Sequence, residues 1–136
     1  MINIQEMMKE LFGGSCYGYC LTRQFSKSDD IKTLTSAFLE GWKRGYVDDD
    51  GYVSNPLKYI RLVGGPAYRD VEKVSINSLK DLPDDNDWIV EYKKKPTDKA
   101  SHFVIANRKK GVIFDPSGDS VTVKVGAPFS YRKFII

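Results

Sequence analysis

Apolar residues recur at helical spacing through the first half of the chain. In the segment IQEMMKELF (residues 4–12) they return every three or four positions, which places them on one face of a helix. Gly13 and Gly14 are expected to end this helix. A second helix is expected to begin at Ser15 or Cys16.

Two further helices are predicted before the pattern changes. Residues 26–45 keep helical spacing, with Ser28 as the candidate N-cap, two aspartates in the favourable first turn and Gly45 as the end. Residues 54–65 repeat these signals on a smaller scale, because Asn55 is a candidate N-cap and a proline follows it at the first helical position.

The second half of the chain changes to short apolar runs separated by turn residues. The predicted strands are residues 69–76, 87–93, the two arms of a hairpin within 101–116, and residues 120–126 and 130–136. Helices first and strands afterwards indicate an α+β fold, with N-terminal helices packed on a C-terminal antiparallel sheet. No repeat or linker divides the chain, so residues 1–136 are expected to form a single domain.

Charge and composition narrow the choice of partner. The 136 residues carry a net charge of +3, which is too small to indicate a nucleic acid partner. Basic residues gather in YKKKP, NRKKG and YRK, and such clusters are typical of solvated strand ends and turns. We therefore expect no nucleic acid to bind.

The same reading argues against a membrane or secreted protein. No apolar run approaches the roughly 18–20 residues that cross a bilayer. The opening MINIQEMMKELFGG lacks the basic-then-apolar pattern of a secretion signal. Two cysteines without such a signal fit a reducing compartment, so we expect a cytoplasmic protein with no membrane partner.

Both cysteines lie in the segment GGSCYGYC (residues 13–20). Cys16 falls where the second helix begins, and the unpaired backbone N–H groups and the helix dipole there favour a thiolate. Cys20 lies one helical turn further along and is expected to be a core residue. Cys16 is therefore the candidate nucleophile, with a buried structural thiol as the alternative.

The single histidine, His102, heads one arm of the predicted hairpin, and Asp115 ends the other. If the turn centres near Lys109, residues whose numbers sum to about 218 face each other, which puts Asp115 diagonally near His102. A carboxylate there can hold one imidazole nitrogen. Because DPSG is also a turn signal, an Asx-turn role alone is the alternative for Asp115.

These residues resemble the papain-like cysteine peptidases, in particular the small bacterial peptidases that trim bacteriocin leaders and related uncharacterised bacterial and phage families. GSCYGY is similar to their nucleophile at the start of an N-terminal helix, SHFVIA to their histidine strand, and VIFDP to the strand after it. The order of the three motifs extends the likeness over most of the chain.

The resemblance implies a papain-like fold and a triad of Cys16, His102 and Asp115. It implies hydrolysis of a peptide, isopeptide or cell-wall peptide bond, with a peptide or protein as the substrate. Papain-like enzymes carry a glutamine about six residues before the nucleophile that donates to the oxyanion, but Glu10 stands there and Gln5 is the candidate in its place. The alternative is a catalytically inactive papain-like domain that binds peptides or partner proteins.

Zinc and calcium sites are the alternatives to this interpretation. Both cysteines with His102 and Asp115 could supply four zinc ligands, but structural zinc sites use two closely spaced ligand pairs, and only one such pair is present. The acidic segment VDDDGY (residues 47–52) lacks the glutamate that a calcium loop needs, because Tyr59 occupies that position. We expect no metal and no other cofactor.

Overall fold

A computed structural model describes residues 16–28, 30–118 and 120–136. The helix predicted over residues 4–12 lies outside the described residues. The chain folds as two compact units. One unit comprises the described residues up to Val71 together with Phe134–Ile136, and the other comprises those from Glu72 to Lys133. The prediction of a single domain stays a prediction.

The described residues of the first unit form three helices: α1 (Cys16–Ser26), α2 (Ile31–Lys43) and α3 (Pro56–Gly64). Their apolar faces meet in a core whose largest fully buried side chains include Tyr19, Phe38 and Tyr59. The rings of Tyr19 and Phe38 stack with their centroids 5.2 Å apart. The hydroxyls of Thr22 and Tyr59 lie 2.7 Å apart, which gives a buried polar pair its hydrogen bond.

The helix ends follow the predicted chemistry, with one correction. Asn55 caps α3, its side chain accepting from the Lys58 amide. For α2, the predicted N-cap Ser28 is wrong: Asp30 is the N-cap and accepts from the Lys32 amide. Ser28 instead accepts from the Asp30 amide, so its hydroxyl stabilises the turn before the helix, and no acidic residue lies in the first helical turn.

The second half forms a five-stranded sheet with the strand order β1-β5-β2-β3-β4. The strands are β1 (Asp70–Ser75), β2 (Trp88–Lys93), β3 (His102–Asn107), β4 (Gly111–Phe114) and β5 (Ala127–Ile135). Pairings β2–β3, β2–β5 and β3–β4 are antiparallel. Helices followed by an antiparallel sheet confirm the α+β class.

Alternate residues of the central strands form the core of the second unit. Val90, Val104, Ala106 and Tyr131 belong to one buried cluster, and Trp88 packs against it. Because side chains alternate across a strand, these residues share one face of the sheet.

The strand predicted over residues 120–126 is wrong, because this segment contains a short helix, α4 (Val121–Val125). The Gly126 amide donates to the Thr122 carbonyl, closing a helical turn. Val123 packs against the core cluster, whereas Val121 and Val125 are 58% and 64% exposed. A strand would have put all three valines on one face.

Candidate active site

His102 and Asp115 form a hydrogen-bonded pair at one end of the β3–β4 hairpin. His102 begins β3, and Asp115 follows the last residue of β4. Asn107 pairs with Gly111, as predicted, but a bulge shifts the register so that Ile105 pairs with Phe114. The His102 Nε2 atom lies 2.7 Å from the Asp115 Oδ1 atom, which confirms the predicted proximity of these two side chains.

Asp115 also organises the turn that follows it. Its Oδ1 atom accepts the Ser117 amide at 2.9 Å, and its backbone carbonyl accepts the Gly118 amide at 2.9 Å. Gly118 has φ 78°, which glycine adopts without strain. The Asx-turn role and the contact with His102 therefore coexist, since one carboxylate oxygen accepts both hydrogen bonds. The turn therefore helps to orient the carboxylate that accepts from the imidazole.

The pair is almost fully shielded from water. The side chains of His102 and Asp115 are 11% and 8% exposed. Inside a protein such a hydrogen bond is stronger than in water. An ionised carboxylate can only accept, so Nε2 carries a proton in this pair.

The two cysteines occupy different environments on α1. Cys16 is the first described residue of α1 and is partly exposed. Cys20 is fully buried, as predicted for a core residue. Neither is in a disulfide. The side chain of Cys16 is therefore accessible to solvent, whereas that of Cys20 is not.

The structure brings together two of the four predicted site residues. His102 and Asp115 share the unit that contains Glu72–Lys133. Cys16 belongs to the other unit. Gln5 lies outside the described residues, as does Glu10.

Among the described residues, no group of three or more His, Cys, Asp or Glu could hold a metal ion. The segment 47–52 is a turn stabilised by Asp48. The Asp48 side chain accepts the amides of Asp50 and Tyr52 at 3.0 and 2.9 Å. Its carboxylate is used for backbone hydrogen bonds, as expected for a solvated turn.

The basic cluster NRKKG is partly neutralised by an acidic side chain from a preceding loop. Arg108 Nε and Lys109 Nζ lie 2.6 and 2.9 Å from the Asp85 carboxylate. Asn107 accepts the amides of Lys109 and Lys110 and so holds the turn. This segment is a stabilised hairpin turn.

A buried acidic residue on β2 escaped the sequence reasoning. The Ser130 hydroxyl donates to Glu91 at 2.6 Å, and Arg132 donates to that hydroxyl at 2.6 Å. Lys73 Nζ lies 3.4 Å from the same carboxylate. The glutamate within the apolar run WIVEY could have predicted this cluster, because a buried charged side chain requires polar or charged partners.

The partners of Glu91 determine its ionisation. Burial raises the pKa of the Glu91 carboxyl. Hydrogen bonds from Ser130 and Ser101, followed by the positive charges of the nearby arginine and lysine, outweigh burial and bring the pKa below its ordinary value. Glu91 is therefore a buried carboxylate held in its charged form.

Comparisons with known proteins give a family without a function. A family model described as "Protein of unknown function, DUF261" matches residues 3–136. No curated protein and no solved structure matches the chain. Among the described residues, no helix has the length and apolar character to span a membrane.

Proposed function

Since the chain belongs to the DUF261 family, whose description assigns no activity, we propose from its own residues that it is a papain-like cysteine hydrolase. It would cleave a peptide, isopeptide or cell-wall peptide bond with Cys16 as nucleophile. The observation that carries the proposal is the buried hydrogen bond between His102 and Asp115. The placement of Cys16 beside His102 belongs to the proposal.

Each residue has a defined task in the proposed reaction. The Cys16 thiolate attacks the scissile carbonyl carbon, forming a carbon–sulfur bond, and the imidazolium of His102 gives its Nδ1 proton to the departing amine. Water then gives a proton to His102 and attacks the thioester, which releases the acid and restores the thiolate. Asp115 holds Nε2 throughout, so the imidazole keeps the orientation and tautomer that both steps need.

Three features support this assignment. Cys16 is the first described residue of α1, and the unpaired amides of a helix start would stabilise a developing oxyanion. It is partly exposed, as a nucleophile must be. A histidine held by a buried carboxylate is poised to accept a proton, and the described chain offers this arrangement once, because His102 is its single histidine.

Alkylation of the two cysteines by iodoacetamide tests the proposal. The rate at each cysteine is followed by peptide mass spectrometry between pH 5.5 and 9, in the native protein and in His102→Ala. We expect Cys16 to react quickly at the acidic end of this range and to lose that advantage in His102→Ala, because the imidazolium stabilises the thiolate. Cys20, which is buried, serves as the internal control and should stay slow in both proteins.

Two results would contradict the hydrolase. One is a Cys16 rate with the same pH profile in both proteins, and the other is a Cys16 as slow as Cys20. In either case the papain-like domain that binds peptides or partner proteins without turnover becomes the better proposal. Glu10, which stands where a glutamine is usual, favours that second candidate.

A further inference from the structure

Three cationic side chains line one cavity in the unit that contains the helices. This cavity, which we call the basic pocket, has a volume of about 420 Å³ and is lined by Arg44, Tyr46, Lys58, Arg61 and Leu62. Arg44 caps the end of α2, whereas the other two cations lie on α3. Among the described residues, no carboxylate lines the basic pocket.

Each cation is oriented by a neighbouring group. Arg44 Nε donates to Glu40 Oε1 at 2.8 Å, so one charge is partly balanced. Arg61 Nε donates to the Tyr68 carbonyl at 2.8 Å, which fixes the guanidinium and leaves its terminal nitrogens for other acceptors. Lys58 Nζ lies 5.8 Å from the centre of the Tyr46 ring.

Lys58 and Arg61 have no acidic partner in the described part of the chain, where no carboxylate lies within ion-pair distance of either. Gathering like charges around one cavity is unfavourable, and an anion in the cavity would relieve the repulsion. Guanidinium groups bind the oxygens of phosphate in pairs, and an ammonium adds a point charge.

We propose that the basic pocket binds the phosphate group of a small molecule. Its volume lies within the range of small-molecule sites, about 300–1,000 Å³. The three cations line one pocket of small-molecule size, which favours a compact anion over an extended polyanion. The site lies outside the proposed triad and does not depend on the hydrolase proposal.

An NMR titration of the backbone amides tests the site. Inorganic phosphate is added at constant ionic strength against sodium chloride, and adenosine monophosphate is titrated in a second arm. We expect saturable shifts at the amides of Tyr46, Lys58 and Leu62. Affinity should fall about tenfold in Lys58→Gln, because one charge-assisted contact is lost. Arg61→Lys should weaken binding less than Lys58→Gln does, because lysine keeps the positive charge and loses only the paired N–H donors of the guanidinium group.

Lys43→Gln is the matched control. Lys43 is exposed on α2 and lies outside the basic pocket, so phosphate affinity should be unchanged in this variant. Tighter binding of adenosine monophosphate would identify a phosphate monoester as the ligand class, and equal binding would identify free phosphate. The proposal is overturned by shifts that do not saturate, by an equal loss in Lys43→Gln, or by acetate binding as tightly as phosphate.

Discussion

Asp115 illustrates how a single side chain can serve the fold and a site at once. Its Oδ1 atom accepts from the Ser117 amide and from His102 Nε2. The first bond is local in sequence and is readable from DPSG, whereas the second spans thirteen residues and depends on the hairpin register. A turn signal and a site residue therefore need not be alternatives at the same position.

Glu91 presents the opposite case, a charged residue whose partners come from distant parts of the sequence. Ser130 and Arg132 lie on β5, and Lys73 lies on β1. The apolar pattern of β2 predicts a buried strand, but it contains no information on which side chains will surround the carboxylate. Only the pairing of β2 with β5 brings the hydroxyl of Ser130 opposite Glu91.

Replacing Glu91 should change the stability of the protein in a pH-dependent way. Because the pKa of Glu91 is lowered on folding, ionisation stabilises the fold above the unfolded value of about 4.3, and this contribution is lost as the pH falls through the lower folded pKa. At pH 7 we expect Glu91→Gln to reduce the free energy of unfolding by about 1–3 kcal/mol.

Urea denaturation at pH 7, 5, 4 and 3 measures this effect. The difference in free energy of unfolding between Glu91→Gln and the native protein should become smaller below a pH of about 4. Glu72→Gln, an exposed position on β1, is the control and should stay within about 0.5 kcal/mol of the native protein. If this difference stays constant or grows towards acid pH, the neighbouring residues do not stabilise the charged form of Glu91.

At the scale of elements, the sequence predicts well where local chemistry decides and poorly where packing decides. Asn55 and the proline after it define the start of α3 by themselves. In the segment SVTVKVG, apolar and polar residues alternate as they do in a strand, yet the segment contains the helix α4. Of its three valines, Val123 packs against the core cluster. Tertiary contact overrides the β-propensity of its valines.

Helix packing in the first unit depends on a glycine that the pattern of α2 does not single out. A Cβ atom on Gly41 would lie 2.5 Å from Tyr59 Cε2 and 3.2 Å from Val47 Cγ2. Tyr59 is fully buried and its hydroxyl is hydrogen-bonded to Thr22, so the ring has little freedom to move away. The close approach of α2 and α3 therefore requires glycine at position 41.

Gly41→Ala should destabilise the protein although alanine is the better helix former. Intrinsic propensity favours alanine by about 1 kcal/mol, but overpacking costs about 1–3 kcal/mol and the steric term should win. The measurement is the urea midpoint followed by far-ultraviolet circular dichroism. Ser36→Ala, exposed on the same helix, is the control and should be neutral or slightly stabilising. A midpoint for Gly41→Ala at or above the native value would contradict the packing argument.

For the whole molecule, the order of motifs predicts a site that no single element contains. The proposed triad takes Cys16 from one compact unit and His102 and Asp115 from the other. The sequence could place each residue on its own element, at a helix start or a strand end. Local sequence patterns hold no information on the distance between elements that are far apart in sequence. The proximity of the Cys16 thiol to the His102 imidazole therefore needs its own test.

A bifunctional thiol reagent tests that meeting without requiring a substrate. In the variant His102→Cys with Cys20→Ser, the introduced thiol takes the place of the imidazole that the proposed triad puts beside Cys16. Dibromobimane fluoresces strongly only after both of its arms have reacted, so we expect rapid fluorescence from the monomer and one intramolecular cross-link in the peptide map.

The matched control is Phe103→Cys with Cys20→Ser, because neighbouring side chains of β3 point to opposite faces of the sheet. If both variants cross-link at the same rate, or if only intermolecular products form, Cys16 does not meet His102 and the triad is wrong, whatever the reactivity of either residue alone.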